Sequence, residues 1–349
     1  MLNPTKLGAA ALSAALLLAL PSQAMAAGTN PNGGENHFDL QAHRGGIGLT
    51  VESTLASLAK GIDTGVSTLE LDLQITKDGR EVITHDRKIN DRKCADTALV
   101  TPGDPQYPYV GKYIKDLTFA QVRSLDCGSR TLPEFPGQEA SPGANLPTLA
   151  EVFALADSRH ASQVKFNIET KVEAGAPEET APREQFVEVA LREINKANMQ
   201  HRVSIESFDW GSLRLVQQQA PQIPTVALTN KDFLQAGQPG KSPWLGGIDA
   251  DDFGGDIVAS AASLGFDAIS PVHGTPQNGS VDDANYVPYV TKDMVDRAHA
   301  AGIKVIPWTA DDKPTMRALI ADGVDGIITD YPNRLRDVMT ETGLKLPRS

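Results

Sequence analysis

Two histidines, two cations and three carboxylates carry the chemistry that this sequence can support. His43, Arg44, Glu70, Asp72 and His85 fall within the stretch 42–86, which reads AHRGG, then VEST, then LELDLQITKDGREVITHD. Glu169 and Lys171 form an E-x-K in the later segment VKFNIETK. Glu70, Asp72 and Glu169 offer oxygen ligands, with no cysteine or third histidine nearby. Such a set suits one hard divalent cation, Ca2+ or Mg2+, better than zinc. An isolated E-x-D is equally the solvated face of a strand, but His85 and the Glu169–Lys171 pair favour a site. Two imidazoles suit general acid–base work near neutral pH, one taking the nucleophile's proton and the other protonating a departing alkoxide. Arg44 and Lys171 would hold the non-bridging oxygens of a phosphate, and a cation would neutralise the developing charge. That combination is phosphodiester cleavage. Trp308 either walls such a pocket or sits in the core.

These groups need a frame. Leu69, Leu71, Leu73 and Ile75 alternate with Glu70, Asp72 and Gln74, the period of a strand. Asp78-Gly79 signals a two-residue hairpin turn. That turn pairs Lys77 with Arg80 and sets Asp72 opposite His85, with Glu70 on the same face two residues along. Further strand patterns begin at Phe38, Val164, Val203, Pro224, Ala268, Lys304 and Gly326, with helical patterns between them. With the hairpin's return strand set aside as an arm, eight strands alternate with helices, so an α/β chain closed into a (β/α)8 barrel is expected. A doubly wound open sheet is the alternative, but no G-x-G-x-x-G follows a strand. Polar residues recur at the C-terminal ends of the predicted strands, where barrels of this type place their active sites.

The segment 87–147 breaks the rhythm. It is rich in Pro and Gly and reads as an inserted lid or small subdomain. It holds Cys94 and Cys127, the chain's two cysteines. They would pair in an oxidising compartment; otherwise they are two buried thiols that never meet. At the N-terminus, Lys6, an apolar run over 7–20, Pro21 and Ala24-Met25-Ala26 read as a signal peptide cleaved after residue 26. The mature barrel domain would then span 27–349 and be periplasmic or extracellular, with no stable membrane anchor.

A length of 349 residues fits one barrel with insertions, and 22% charged with 40% hydrophobic residues is an ordinary globular balance. Net charge is −12, and losing Lys6 with the signal segment takes it to −13. An acidic chain argues against nucleic acid, whose binding rests on neutralising phosphates. Any phosphate site must be locally basic or cation-neutralised. No protein partner is legible.

The ordered run HRG, Glu-x-Thr, E-L-D, T-K-D-G, H-D, E-x-K, W-T and G-I-I-T-D-Y-P resembles the glycerophosphodiester phosphodiesterases, from about Leu40 to Leu335. The resemblance implies a (β/α)8 barrel of the phospholipase-C-like phosphodiesterase kind. It implies hydrolysis of glycerophosphodiesters, such as glycerophosphocholine or glycerophosphoethanolamine, to glycerol 3-phosphate and an alcohol. Matched residue by residue, His43 and His85 fall on the acid–base pair, and Glu70, Asp72 and Glu169 on the metal ligands. Arg44 and Lys171 fall on phosphate contacts. Glu52 matches the glutamate of the family's Pro-Glu-Asn-Thr motif, near the metal and the histidines. Two departures are Val51-Glu52-Ser53-Thr54 for that motif and Trp308-Thr309-Ala310-Asp311-Asp312 for the usual W-T-x-N-D. A phospholipase D- or sphingomyelinase D-like activity on intact lipids and a non-catalytic polyol- or phosphate-binding barrel are the competing readings.

Overall fold

In the computed structural model, which describes Met1 and residues 37–347, strands and helices alternate from Asp39 onward. The predicted signal segment lies outside the described residues. The first unit is β1 (Asp39–Ala42), α1 (Leu55–Thr64), β2 (Thr68–Ile75) and its antiparallel partner β3 (Glu81–Ile83). After the insertion, which holds α2 (Phe119–Arg123), come α3 (Leu149–Ser158), β4 (Lys165–Thr170) and α4 (Arg183–Lys196). Next are β5 (Val203–Ser207), α5 (Trp210–Gln219), β6 (Thr225–Thr229), α6 (Lys231–Leu234), α7 (Ile257–Ser263) and β7 (Ala268–Pro271). A short pair, β8 (Gly274–Thr275) and β9 (Val287–Pro288), precedes α8 (Lys292–Ala300). The chain ends with β10 (Lys304–Val305), α9 (Lys313–Asp322), β11 (Gly326–Thr329) and α10 (Pro332–Glu341).

Helix starts follow the local chemistry. Thr54, Thr118 and Thr148 each accept the backbone N–H three residues on, and Ser57, Gln121 and Glu151 return the bond. Each such cap stabilises by about 1 kcal/mol. Asp209 caps α5 by accepting from the Gly211 and Ser212 N–H groups, and Gly65 ends α1 in the left-handed conformation.

Eight strands run parallel in the order β10-β7-β6-β5-β4-β2-β1-β11. Asp325 N–H donates to the Val305 carbonyl and Ile328 N–H to the Pro307 carbonyl, both at 2.9 Å, which links the last strand back to β10. The predicted (β/α)8 barrel is the observed fold. Its register builds the site, because partners across a parallel ladder share a face. Asp72 pairs with Glu169, and Glu169 with Glu206, so three carboxylates lie side by side across β2, β4 and β5. Ala42 pairs with both Thr329 and Leu69, which places the next residue, His43, between Asp330 and Glu70.

The hairpin differs from expectation by one residue. Leu73 pairs with Ile83 and Ile75 with Glu81, so Thr84, not His85, stands opposite Asp72, its N–H donating to the Asp72 carbonyl. The loop is Lys77-Asp78-Gly79, three residues long. Thr76 N–H donates to the Arg80 carbonyl, and Gly79 closes the turn at φ +72°. A three-residue loop with glycine in the left-handed position is the next most favoured hairpin after the two-residue turn. The strand stops at Ile83, and His85 reaches the site by the bend that follows.

The insertion has its own small core, with Ile89, Tyr109, Ile114, Leu117, Val122, Leu125 and Leu146 packed around Cys94 and Cys127. The cysteines are bonded.

Candidate active site

Gly45 and Gly46 follow β1 in left-handed conformations, and Arg44 itself sits at φ +52°. A Cβ on Gly45 would come within 2.7 Å of the α1 backbone at Ser57, so only glycine lets the loop lie this close. The strained turn aims the Arg44 N–H at Glu70 Oε2, 2.8 Å away. It also sends the guanidinium along the mouth, with Nη1 2.8 Å from Glu52 and Nε 3.3 Å from Asp72.

Glu70, Asp72 and Glu169 are buried, and one oxygen from each lies within 4.8 Å of the others. Both Asp72 carboxylate oxygens are buried without a hydrogen-bond partner, although Lys171 Nζ stands 3.5 Å away. Orphaned carboxylate oxygens are costly unless a cation takes them. The residues therefore fit a bound divalent cation, and an all-oxygen set suits a hard one. Burial, with Asp72 and Glu206 next to it, pushes Glu70 well above the usual carboxylate range. Burial raises Glu169 to about 7 against the pull of Lys171. Burial also raises Asp72, but Lys171, His85 and Arg44 outweigh it and hold that carboxyl low.

The two histidines are each backed by a carboxylate. His43 Nδ1 is 2.5 Å from Asp330 Oδ1, and its Nε2 is 3.9 Å from Glu70. His85 Nδ1 is 3.0 Å from Asp86 Oδ1. A proton on each Nδ1 shared with its carboxylate leaves both Nε2 atoms as free bases. Burial, then Arg44, lowers His43 to about 3. Burial with Arg44 and Lys171 lowers His85 to about 4.

A cleft of about 1050 Å³ opens over these groups. Lys171 stands in it, 3.1 Å from Glu169. Trp308 lines it and meets Phe208 edge-on, with its indole N–H donating to the Ser270 carbonyl. Residues of the insertion line the cleft as well. There Tyr113 donates to Glu179 at 2.6 Å, and Arg87 pairs with Glu173 and Glu179 of the β4–α4 loop.

The structure thus brings His43, Arg44, Glu70, Asp72, His85, Glu169, Lys171 and Trp308 to one mouth, with Glu52 against Arg44. Sequence reasoning gave no role to Asp330, Asp86, Glu206 or Lys93. Asp330 directly follows the last strand, and barrel closure alone would have put it beside the end of the first. Asp86 follows His85 directly, and Glu206 occupies the strand-end register of Glu169. Lys93 sits in aperiodic sequence that carried no signal.

A (β/α)8 barrel with acid–base imidazoles and cation-type oxygen ligands at its C-terminal mouth defines the class of barrel phosphodiester hydrolases. Comparison with known proteins narrows the class. The model of the glycerophosphoryl diester phosphodiesterase family matches residues 43–334. A glycerophosphodiester phosphodiesterase of Caldanaerobacter subterraneus subsp. tengcongensis is 27% identical over 302 residues, 86% of this chain and 98% of the relative. A solved structure from Silicibacter pomeroyi DSS-3 superposes with a TM-score of 0.71 at 26% identity, over 89% of this chain and 95% of that one. An Oleispira antarctica phosphodiesterase, solved with the product sn-glycerol-3-phosphate, shares the fold at a TM-score of 0.62 and 20% identity, over 86% and 96% of the chains. The chain belongs to the glycerophosphoryl diester phosphodiesterase family and is a hydrolase of that kind.

Proposed function

We propose that this enzyme cleaves water-soluble glycerophosphodiesters to glycerol 3-phosphate and an alcohol, using one divalent cation, Ca2+ or Mg2+, and the pair His43 and His85. The observation that carries the cation is the buried Asp72 carboxylate, which accepts no hydrogen bond, clustered with Glu70 and Glu169. When bound, such an ion supplies Lewis-acid neutralisation of charge on a phosphoryl oxygen. Arg44 and Lys171, on either side of Asp72, orient the remaining phosphate oxygens. His43 Nε2 and His85 Nε2 take and return protons. Asp330 and Asp86 hold each ring's Nδ1 proton and stabilise the imidazolium that forms. An incoming phosphodiester anion opposes the downward pull of Arg44 on both imidazoles. Phe208 and Trp308 give the substrate an apolar wall. Export after cleavage of residues 1–26 is supported by the bonded Cys94–Cys127 pair, which suits an oxidising compartment.

The test is glycerophosphocholine hydrolysis with and without Ca2+ or Mg2+, in the parent and in His43→Ala. Activity should vanish in EDTA and fall by at least about 100-fold in the variant. Turnover that survives both treatments ends the proposal.

A further inference from the structure

Lys93 belongs to the insertion, yet its ammonium reaches the barrel mouth. The N–H groups of Lys93 and Cys94 both donate to the Asn90 carbonyl, at 3.1 and 2.8 Å, forming a tight turn fastened by the Cys94–Cys127 bond. The side chain is 18% exposed; its Nζ lies 2.5 Å from Glu52 Oε1 and 2.8 Å from Asp86 Oδ2. Each of these carboxylates turns its other oxygen to a group of the site. Glu52 Oε2 meets Arg44 Nη1 at 2.8 Å, and Asp86 Oδ1 is 3.0 Å from His85 Nδ1. One ammonium therefore sets the rotation of two carboxylates, and through them the guanidinium and one imidazole. Arg44, Glu52, Lys93 and Asp86 thus form a chain of alternating charge, partly withdrawn from solvent, that ends on His85. Asn90 Nδ2 adds a bond to Asp86 Oδ2 at 2.9 Å.

We propose that Lys93 is a positioning residue for the hydrolysis, so that the insertion completes the catalytic centre and does not merely cover it. The proposal rests on the function argued above. Without Lys93, Glu52 is free to turn both oxygens onto Arg44, since a two-oxygen fork is the geometry a guanidinium favours. That rotation draws Arg44 off its place beside Asp72. Asp86, released on one side, no longer fixes the His85 ring. Lys93 makes no ion pair with Glu70, Asp72 or Glu169, and moving Arg44 away from Asp72 takes a competing cation off that carboxylate, so the loss falls on phosphate contact and proton transfer and not on ion binding.

The experiment compares the parent with Lys93→Met, Lys93→Arg and, as a surface control on the insertion, Lys115→Ala. Steady-state glycerophosphocholine hydrolysis is measured with saturating Ca2+ or Mg2+. Calorimetry gives the affinity for the ion alone and for glycerol 3-phosphate on the ion-loaded protein. Lys93→Met should lose about 100-fold in kcat, the scale of an ångström-sized misplacement, and bind glycerol 3-phosphate about tenfold more weakly, as expected when a charged phosphate contact is misaligned. Its ion affinity should not fall, because no ligand is replaced and the cation that competes for Asp72 is drawn away. Lys93→Arg should recover most of the loss, and Lys115→Ala should match the parent. If Lys93→Met does not fold, Lys93→Gln replaces it under the same limits. Parent-like kcat and product affinity in the uncharged variant overturn the proposal. So does Lys93→Arg as damaged as Lys93→Met, or a loss that tracks ion affinity. A parent inactive with either ion counts against the function itself, and the glycerol 3-phosphate comparison then still decides the role of Lys93.

Discussion

Replacing Asp330 by asparagine removes one negative charge beside His43 and keeps an oxygen where Oδ1 now stands, 2.5 Å from Nδ1. A hydrogen bond to a charged group contributes about 1.5–3 kcal/mol and a neutral one about 0.5–1.5, so the exchange forfeits about 1–1.5 kcal/mol. If the imidazolium forms on the way to the transition state, that is a fall in kcat of about 5- to 13-fold. Asp330→Ala removes the whole bond and should cost about 13- to 160-fold. Asp330 is not among the clustered cation ligands, so KM for glycerophosphocholine and ion affinity should hold within about twofold in both variants. Folding should not suffer in Asp330→Asn. Burial, then Asp330, pushes the neighbouring Asp311 carboxyl up to about 7, and removing one charge relieves that repulsion. The assay is kcat and KM at saturating ion, with melting temperatures at pH 7.5 as the control. Both variants within threefold of parent kcat, or a loss explained by weaker ion binding, would refute the reasoning.

Two further outcomes follow from the same geometry. Ion affinity should depend on pH, because Glu169 must be ionised to act as a ligand and its carboxyl is raised to about 7, chiefly by burial. Glu70 is raised as well, so affinity should climb with pH through this range and fall by at least about tenfold per unit below pH 7, as protons compete with the ion. Calorimetric titration with Ca2+ or Mg2+ from pH 5.5 to 8 checks this, and a flat profile would remove Glu169 from the ligand set. The Cys94–Cys127 bond joins residues 33 apart. The double Cys94→Ser, Cys127→Ser variant should lose about 3–4 kcal/mol of unfolding free energy in urea on the chain-entropy account. A loss under about 1 kcal/mol would mean that the packed insertion core alone holds the loop.

The barrel was legible because its elements announce themselves locally. Thr68, Val203, Ala268, Lys304 and Gly326 begin strands where the period-2 pattern begins, and Thr54, Thr118, Thr148 and Asp209 cap helices where their side chains suggest. The clustering of three carboxylates was legible as well, since Glu70 and Asp72 share a strand face and Glu169 lies at the end of a neighbouring strand. What local pattern cannot carry is closure and register. Asp330 lies 287 residues from His43 and touches it only because the last strand returns to the first. The hairpin failed on one residue. Asp78-Gly79 is compatible with a two- or a three-residue loop, and the two place opposite faces of the return strand toward Asp72. His85 still arrives, because β3 ends before it and the chain bends, so its position owes nothing to the ladder that was invoked for it.

The site's charge balance explains why an acidic protein can handle an acidic substrate. Glu52, Glu70, Asp72, Asp86, Glu169, Glu206 and Asp330 surround the mouth, against Arg44, Lys93 and Lys171. Lys93 and Glu52 are bound to each other, and Arg87 at the outer wall is paired with Glu173 and Glu179, so the cations beside the carboxylate cluster are Arg44 and Lys171. Excess negative charge in a buried mouth has two remedies, protons or a cation. Burial and mutual repulsion raise Glu70, Glu169 and Glu206, which is the proton remedy. Glu70, Asp72 and Glu169 would hold a divalent ion that supplies that neutralisation instead, and Lys171 would then be less tightly held by Glu169 and Asp72. The same carboxylates that repel a phosphodiester thus become, once neutralised, the reason that two cations can turn toward it.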